Sequence, residues 1–209
     1  MEGASFSIQG SGKPDNQDSH LVDAGAGLLI VADGVTHCDG GGVASTNAVR
    51  QFTEALSGDD PPDRHRMRTA ISRAHALLRR DKRALYTTFD ATIVQEDRIL
   101  SVHVGDGRIY HLGPDGLERT TEDHVERGYL ANALGAAQLR AVVRSTPRSS
   151  DVFGVAIASD GLWNEISEPE LETLLLDPEQ SLSDRMRALQ ALLAERSNFD
   201  DATLAIGMF

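Results

Sequence analysis

Hydrophobic positions recur along the chain with two different periods, which predicts a mixture of strands and helices. Short apolar runs, alternating or continuous, predict strands. Apolar residues three or four positions apart, as at Met67, Ile71, Ala74 and Leu78, predict helices. We expect strands at 5–10, 19–24, 27–33, 89–95, 98–104, 107–113, 116–121, 139–146, 152–160 and 202–209. We expect helices at 42–57, 63–86, 128–135, 169–177 and 181–197.

The order of these elements predicts an α+β fold. Strands come first, then two helices, more strands, further helices and a last strand, which favours mostly antiparallel sheets with helices layered outside them. We find no linker or internal repeat, and the length suits one domain over residues 1–209. No apolar run approaches the ~20 residues of a membrane helix. The first residues do not resemble a secretory signal, so we expect a cytoplasmic protein.

The net charge of the chain excludes some classes of binding partner. The chain has 32 acidic and 20 basic side chains, a net charge of −12. Such a surface repels phosphate backbones and anionic lipids, so we expect no nucleic-acid and no membrane partner. Residues 63–83 are an exception, with eight basic groups against two acidic ones. This basic segment is either a solvated helix face or a docking surface for an acidic partner.

Five aspartates share a local context, at a strand end or in a turn beside small residues: Asp18, Asp33, Asp106, Asp160 and Asp200. Asp33 and Asp160 each follow an apolar run directly and each precede a glycine. Burying a carboxylate costs several kcal/mol unless something compensates its charge. A hard divalent cation does so. Each aspartate alone could be a turn former, but together they predict a metal centre.

The motifs around these aspartates resemble those of metal-dependent protein phosphatases of the PP2C type, in their compact bacterial form. Seven motifs keep the family order: KPDNQDS (13–19), VADGVTHCDGGGVAS (31–45), VGDGR (104–108), TEDH (121–124), ALG (133–135), IASDGLW (157–163) and DDAT (200–203). The resemblance spans nearly the whole chain. It implies a fold of two packed antiparallel β-sheets flanked by α-helices.

The resemblance also implies a reaction, the hydrolysis of phosphoserine and phosphothreonine in proteins by a water bridged between two Mn²⁺ or Mg²⁺ ions. The implied metal ligands are Asp18, Asp33, the carbonyl of Gly34, Asp160 and Asp200, with Asp106 for a third, weaker ion. Asp33 would bridge the two ions, and Asp18 would act through the water shell. The implied partner is a phosphorylated protein, with a serine/threonine kinase or its targets as candidates.

Four departures from the family pattern stand out. Lys13 takes the place of a phosphate-binding arginine, and we expect the same role from a point charge without the bidentate fork. His37 lies one residue before the usual histidine position, which Cys38 fills; it is a candidate acid for the leaving group or an exposed loop residue. Asp201 replaces an asparagine, and we expect it to attract cations or to face water. Residues 125–135 replace a long helical flap, which should leave the cleft open.

Two alternatives to a protein phosphatase stay open at this point. The first is a pseudophosphatase, a binding module on the same fold, which Lys13 and the altered loop at 35–38 favour. The intact aspartates oppose it, because a binding scaffold has no need for several mutually repelling carboxylates. The second is a phosphatase of small phosphoesters, which an open cleft would admit.

Overall fold

The computed structural model describes residues 1–58 and 60–209, and in these ranges it contains twelve strands and five helices. The strands are β1 Glu2–Ile8, β2 Asp18–Asp23, β3 Leu28–Asp33, β4 Phe89–Val94, β5 Arg98–Val104, β6 Arg108–Gly113, β7 Gly116–Arg119, β8 Val125–Glu126, β9 Tyr129–Leu130, β10 Val142–Pro147, β11 Gly154–Ala158 and β12 Ala202–Met208. The helices are α1 Gly41–Leu56, α2 Arg64–Arg80, α3 Asp160–Trp163, α4 Glu168–Leu175 and α5 Leu182–Ala194.

Ten of the strands form two five-stranded sheets, with the orders β1-β12-β11-β6-β7 and β10-β5-β4-β3-β2. Neighbouring strands within both sheets are antiparallel. The inner faces of the sheets pack on each other through buried aliphatic side chains. These are Leu29, Val31, Ile99, Ile109, Val155, Ile157 and Ala205. Because both faces of the central strands are covered, their sequences read as continuous apolar runs.

Helices cover the outer face of each sheet. Helices α1 and α2 pack on the sheet that contains β3, with Phe52, Met67 and Ile71 fully buried against it. Helices α4 and α5 cover the sheet that contains β11, with Leu171 and Leu189 buried in the same way. The layers therefore run helix, sheet, sheet, helix, and the predicted fold class is confirmed. The prediction of a single domain over residues 1–209 stays a prediction.

Helix α2 is shorter than the sequence pattern predicts. It begins after Asp63, whose Oδ1 accepts a hydrogen bond from the Arg66 amide at 2.7 Å. It ends at Arg80 and not at 86, because Asp81 adopts an extended conformation and its Oδ1 accepts from the Arg83 amide at 2.9 Å. A side chain that offers the backbone an alternative partner ends a helix in this way.

The predicted helix at 128–135 is wrong. A two-residue hairpin joins β8 to β9, with positive φ at Arg127 (53°) and Gly128 (81°), as a tight hairpin turn requires. Farther along, the Leu134 amide donates to the Thr87 carbonyl at 2.8 Å, which pins this apolar residue in a β-bridge. Long-range pairing overrides the helical spacing of the apolar residues here.

Two arginines of the basic segment at 63–83 stabilise the fold. One Arg66 nitrogen donates to the Leu56 carbonyl at 2.7 Å, at the C-terminal end of α1, where helix carbonyls lack partners. Arg64 donates to the Val143 carbonyl at 3.3 Å. These two arginines hold neighbouring elements together, so a docking role is left to the remaining basic residues. In the portion of the chain that the structure describes, no helix is both long and apolar enough to cross a bilayer.

Candidate metal centre

Two of the predicted aspartates lie side by side because of strand register. Asp18 opens β2 and Asp33 ends β3, and the two residues are direct partners in the antiparallel pair. Thr88 fixes this end of the sheet, since its amide donates to the Asp33 carbonyl at 2.8 Å and its hydroxyl accepts from the Asp33 amide at 3.0 Å. The Asp33 backbone therefore has little freedom.

The opposite sheet contributes two more aspartates. Asp160 follows β11 at the start of α3, and Asp200 precedes β12, the neighbour of β11. Two hydroxyls connect the sheets at this end of the sandwich. Thr203 Oγ1 donates to Asp18 Oδ2 at 2.6 Å, and Ser159 Oγ donates to the same oxygen at 3.0 Å. The four carboxylates thus approach one another from two separate sheets.

Three of these aspartates, Asp33, Asp160 and Asp200, border an open cleft of about 520 Å³. Its lining residues are Asp33, Val35, Thr36, His37, Thr88, Asp106, Gly128, Tyr129, Leu130, Asp160 and Asp200. Asp18 lies beside Asp33 with its carboxylate among the buried hydroxyls. The hairpin of β8 and β9 forms one wall, and Tyr129 is 78 % exposed there. A short wall with an exposed aromatic ring therefore stands where the sequence predicts a reduced flap.

Burial of carboxylate groups is the main influence on the electrostatics of the cleft, and repulsion between them adds to it. Burial raises the pKa of Asp18 to about 7, against the opposing effect of the hydrogen bonds from Thr203 and Ser159. Burial, followed by the charges of Asp18 and Asp160, raises the pKa of Asp33 well above its usual value. Burial also raises the pKa of Asp160, and it raises the pKa of Asp106 to about 7, with the charge of Asp160 adding to the effect. Bound cations would have the opposite effect on all four groups.

The donor atoms of the cleft suit a hard divalent cation. Asp18 Oδ1 and Asp160 Oδ1 are buried and have no hydrogen-bond partner among the described residues, and such atoms are rare unless something else binds them. Carboxylate oxygens are the ligands that Mg²⁺ and Mn²⁺ prefer. As the side chains stand, no three His, Cys, Asp or Glu groups within residues 1–58 and 60–209 converge closely enough to coordinate one ion. Asp200 is instead ion-paired with Lys13.

The sequence model of one family extends across most of this arrangement and ends just before Asp200. The model described as "Protein phosphatase 2C" matches residues 7–199. The chain belongs to the protein phosphatase 2C family. This confirms the predicted family and the predicted class of enzyme, a protein phosphatase of the serine/threonine type.

Individual phosphatases align with this chain over nearly their full length. Protein phosphatase PhpP of Streptococcus pneumoniae is 24% identical over 239 residues, an alignment that covers 99% of this chain and 96% of PhpP. The serine/threonine phosphatase Stp1 of Staphylococcus aureus has a TM-score of 0.88 at 18% identity, covering 100% of this chain and 95% of Stp1. The catalytic domain of the phosphatase PstP, solved with two manganese ions, has a TM-score of 0.85 at 20% identity, covering 98% and 96%.

Asp201, which replaces the asparagine of the family pattern, has a structural role. Of the two alternatives that the sequence suggests for Asp201, facing water is wrong, and strengthening the attraction of cations stays a prediction. Its side chain is fully buried and accepts hydrogen bonds from the Gly10 amide at 2.7 Å and the Gln17 amide at 2.8 Å. Lys13 Nζ adds an ion pair at 3.2 Å. Asp201 therefore anchors the loop between β1 and β2 to the body of the protein.

Lys13 lies at the edge of the cleft with its charge already engaged. Its ammonium group contacts Asp200 and Asp201 and donates to the Thr36 hydroxyl at 3.0 Å. Burial lowers the pKa of Lys13, but the hydrogen bond and charge of Asp200 outweigh burial and leave that pKa raised. Lys13 is thus a fixed positive charge next to the carboxylate cluster.

The remaining predicted residues also lie at the cleft. His37 is exposed in its wall, close to Thr36 and across from the hairpin. Gly34 follows Asp33 directly and donates its amide to the Gln17 carbonyl at 3.1 Å. A Cβ atom at Gly34 would lie only 2.2 Å from the Gly41 backbone, so this close approach requires glycine.

Sequence reasoning missed three hydroxyl residues that support the aspartates, namely Thr88, Ser159 and Thr203. Their signal was available in part. Ser159 and Thr203 belong to the motifs IASDGLW and DDAT, and both are fully or almost fully buried polar residues next to apolar strands. Buried hydroxyls need partners, so each points to a polar neighbour. The identity of that neighbour, Asp18, comes only from the tertiary structure, because Asp18 is 141 and 185 residues away from them.

Proposed function

We propose that the cleft hydrolyses phosphoserine and phosphothreonine side chains of proteins, with two Mn²⁺ or Mg²⁺ ions as cofactors. The proposed ligands are Asp18, through the water shell, together with Asp33, the Gly34 carbonyl, Asp160 and Asp200. Asp106 is proposed to hold a third, weaker ion. The proposed substrates are phosphorylated proteins of the cytoplasm, including the targets of a serine/threonine kinase.

One observation carries this proposal. Two buried carboxylate oxygens, on Asp18 and Asp160, have no partner among the residues described, although they lie beside a third acid, Asp33, which is half-buried at the cleft. Leaving such charges uncompensated costs several kcal/mol, so the arrangement is stable only if these groups hold protons or bind cations. The oxygen-only donor set supports divalent cations as the ligand.

The bound ions would supply a water activated near neutral pH and would neutralise charge on the transferring phosphoryl group. The chain's own residues are proposed to orient the substrate. Lys13 would exchange Asp200 for a phosphate oxygen, which requires only a side-chain rotation at the cleft edge. His37 lies in the cleft wall within reach of solvent and is the proposed proton donor to the leaving serine or threonine oxygen.

The experiment measures phosphate release from a phosphothreonine peptide and from p-nitrophenyl phosphate. The purified chain is assayed with Mn²⁺, with Mg²⁺ and with EDTA, beside the variant Asp160→Asn and the matched control Asp115→Asn. Asp115 is an exposed aspartate in the turn between β6 and β7, remote from the cleft. We expect metal-dependent release by the wild type and Asp115→Asn only.

Three outcomes separate the alternatives. Release from the peptide in Mn²⁺ but not in EDTA supports the proposal. Release from p-nitrophenyl phosphate alone would favour a phosphatase of small phosphoesters. No release from either compound, with Mn²⁺ bound, would favour a binding module that retains the family fold.

A further inference from the structure

The turn between β5 and β6 carries Asp106 into the cleft, and three of its backbone groups are held by specific partners. We call residues 105–107 the Asp106 turn. The Gly105 amide donates to His124 Nδ1 at 3.0 Å, and the Gly105 carbonyl accepts from the His124 amide at 2.8 Å. The Asp106 carbonyl accepts from the indole nitrogen of Trp163 at 3.1 Å. His124 therefore binds both backbone groups of the residue before Asp106.

His124 is oriented by its neighbours. Its Nδ1 accepts a second hydrogen bond, from the side-chain amide of Asn132 at 3.0 Å. Because both contacts at this nitrogen come from donors, Nδ1 is unprotonated and the ring proton is on Nε2. The imidazole ring of His124 also packs against the ring of His103, with the two ring centroids 4.5 Å apart. These contacts fix both the tautomer of His124 and the orientation of its ring.

His103 connects this stack to a buried acid. It is 3 % exposed, and its Nδ1 lies 2.6 Å from Asp90 Oδ1 while its Nε2 lies 2.8 Å from the Glu122 carbonyl. Asp90 and His103 are direct partners in the antiparallel register of β4 and β5. The carbonyl can only accept, so Nε2 carries a proton, and the second proton lies between Nδ1 and Asp90. Every polar atom of this ring is satisfied without any contact with solvent.

Asp90 also touches the Asp106 turn directly. A Cβ atom at Gly107 would lie 2.0 Å from Asp90 Oδ2, so the acid fills the space where a side chain at 107 would be. The family motif resembled here has serine at this place. Glycine at 107 and aspartate at 90 are therefore a matched pair, and the turn packs against the buried acid on one side and His124 on the other.

We infer that Asp90, His103 and His124 are positioning residues, which fix the Asp106 turn and so hold the Asp106 carboxylate at the cleft. This rests on the proposed function in one respect, since it takes the Asp106 carboxylate to be a cation ligand. Residues that orient a ligand from behind contribute about 10- to 100-fold to metal affinity or activity in comparable sites. None of the three side chains lines the cleft itself, so each acts through Asp106.

The test compares two variants of His124. His124→Leu removes the hydrogen-bond acceptor for the Gly105 amide, whereas His124→Asn retains a side-chain acceptor. His75→Leu is the matched control, because His75 Nδ1 also accepts from a glycine amide, that of Gly135 at 3.1 Å, outside the cleft lining. Each variant is made in the wild type and in an Asp106→Ala background. The readouts are Mn²⁺ binding by isothermal titration calorimetry and the Mn²⁺ concentration that gives half-maximal phosphate release.

We expect His124→Leu to weaken binding of the weakest Mn²⁺ ion about 10- to 100-fold, while His124→Asn retains most of the affinity and His75→Leu all of it. In the Asp106→Ala background, His124→Leu should have no further effect on Mn²⁺. Gly107→Ala perturbs the same turn from the side of Asp90, and we expect the same loss of Mn²⁺ affinity as in His124→Leu. This variant replaces His124→Leu in the test if His124→Leu does not fold.

Two results would overturn the inference. One is Mn²⁺ binding by His124→Leu and Gly107→Ala that equals the wild type. The other is a loss that persists in full when Asp106 is absent, which would indicate general destabilisation. A wild type that binds Mn²⁺ but releases no phosphate would instead contradict the proposed function, and calorimetry would still test the role of the turn.

Discussion

Two sets of acids at the same end of the molecule differ in how their charges are compensated. Asp201 and Asp90 are buried, and each has protein partners for its carboxylate: two amides and Lys13 for Asp201, and His103 for Asp90. Asp18 and Asp160 are only half-buried, yet each has one buried carboxylate oxygen without a partner in the part of the chain described. The structural acids are buried with every contact made to protein, whereas these two proposed metal ligands are half-buried at the cleft and each present a buried oxygen that no protein group binds.

The difference has an energetic meaning. A buried carboxylate with its hydrogen bonds satisfied contributes to the folded structure, and removing it leaves its donors without acceptors. A buried carboxylate without partners opposes folding until a cation or a proton arrives. The same substitution, aspartate to a neutral residue, should therefore have opposite effects in the two sets.

The largest expected effect is on activity at Asp33. Asp33→Asn removes the proposed bridging charge, and a loss of several kcal/mol of charge stabilisation corresponds to about 10³-fold or more in rate. The fold should be retained, because the carboxylate is a source of repulsion with Asp18 and Asp160. The measurement is kcat for phosphopeptide hydrolysis in Mn²⁺, with a thermal melt to verify folding. Activity within tenfold of the wild type would place the chemistry elsewhere.

A large effect on stability is expected at Asp201. Asp201→Ala leaves two buried amides and Lys13 without their acceptor, which should lower the free energy of unfolding by about 3 kcal/mol. Asp201→Asn keeps one acceptor oxygen and should cost less. Urea denaturation in EDTA measures both, with Asp18→Asn as the contrasting variant, expected to be neutral or stabilising. Equal losses for Asp201→Ala and Asp18→Asn would remove the distinction between the two sets.

The pH dependence of stability should reveal the uncompensated acids. Burial raises the pKa of Asp18 and of Asp106 to about 7, from an ordinary value near 3.8 in the unfolded chain. Between these values the folded state binds more protons than the unfolded state, so stability is lost as pH rises from about 4 to about 7. Thermal melts in EDTA across this range should show the loss. Asp18→Asn should flatten the curve, and an unchanged curve would show that Asp18 is ionised throughout.

A smaller effect is expected at Lys13. Lys13→Gln removes the positive charge proposed to bind substrate phosphate, and loss of one charged hydrogen bond corresponds to about a tenfold rise in KM. Lys13→Arg should have a KM equal to or lower than that of the wild type, because a guanidinium group can bind two phosphate oxygens at once. The assay is a substrate titration with a phosphothreonine peptide at saturating Mn²⁺. If neither variant changes KM, Lys13 serves only to pair with Asp200 and Asp201.

The sequence allowed the strands and most of the cleft to be predicted, for a physical reason. Strands buried on both faces are continuous apolar runs, and an aspartate at the end of such a run is conspicuous because it is costly there. Asp33 and Asp160 are conspicuous in this way. The antiparallel pairing of neighbouring strands then brings Asp18 next to Asp33.

The misses share one cause, which is that each depended on contacts between distant residues. Asp201 binds the Gly10 amide across 191 positions, so nothing near it in the sequence indicates its role. Leu134 is drawn into a bridge with Thr87, which defeats a helical pattern that is valid locally. The pair of Asp90 and His103 needs the register of two strands, which hydrophobic periodicity does not specify to the residue.

The most direct test of the central claim is the number of Mn²⁺ ions bound by the chain in calorimetric titrations. The account predicts that the wild type and Asp115→Asn bind at least two ions, that Asp160→Asn loses at least one, and that Asp201→Asn retains the wild-type number. Binding that survives Asp160→Asn unchanged, or that is lost equally in Asp201→Asn, would contradict the claim that the carboxylates with an unpartnered buried oxygen form the metal centre.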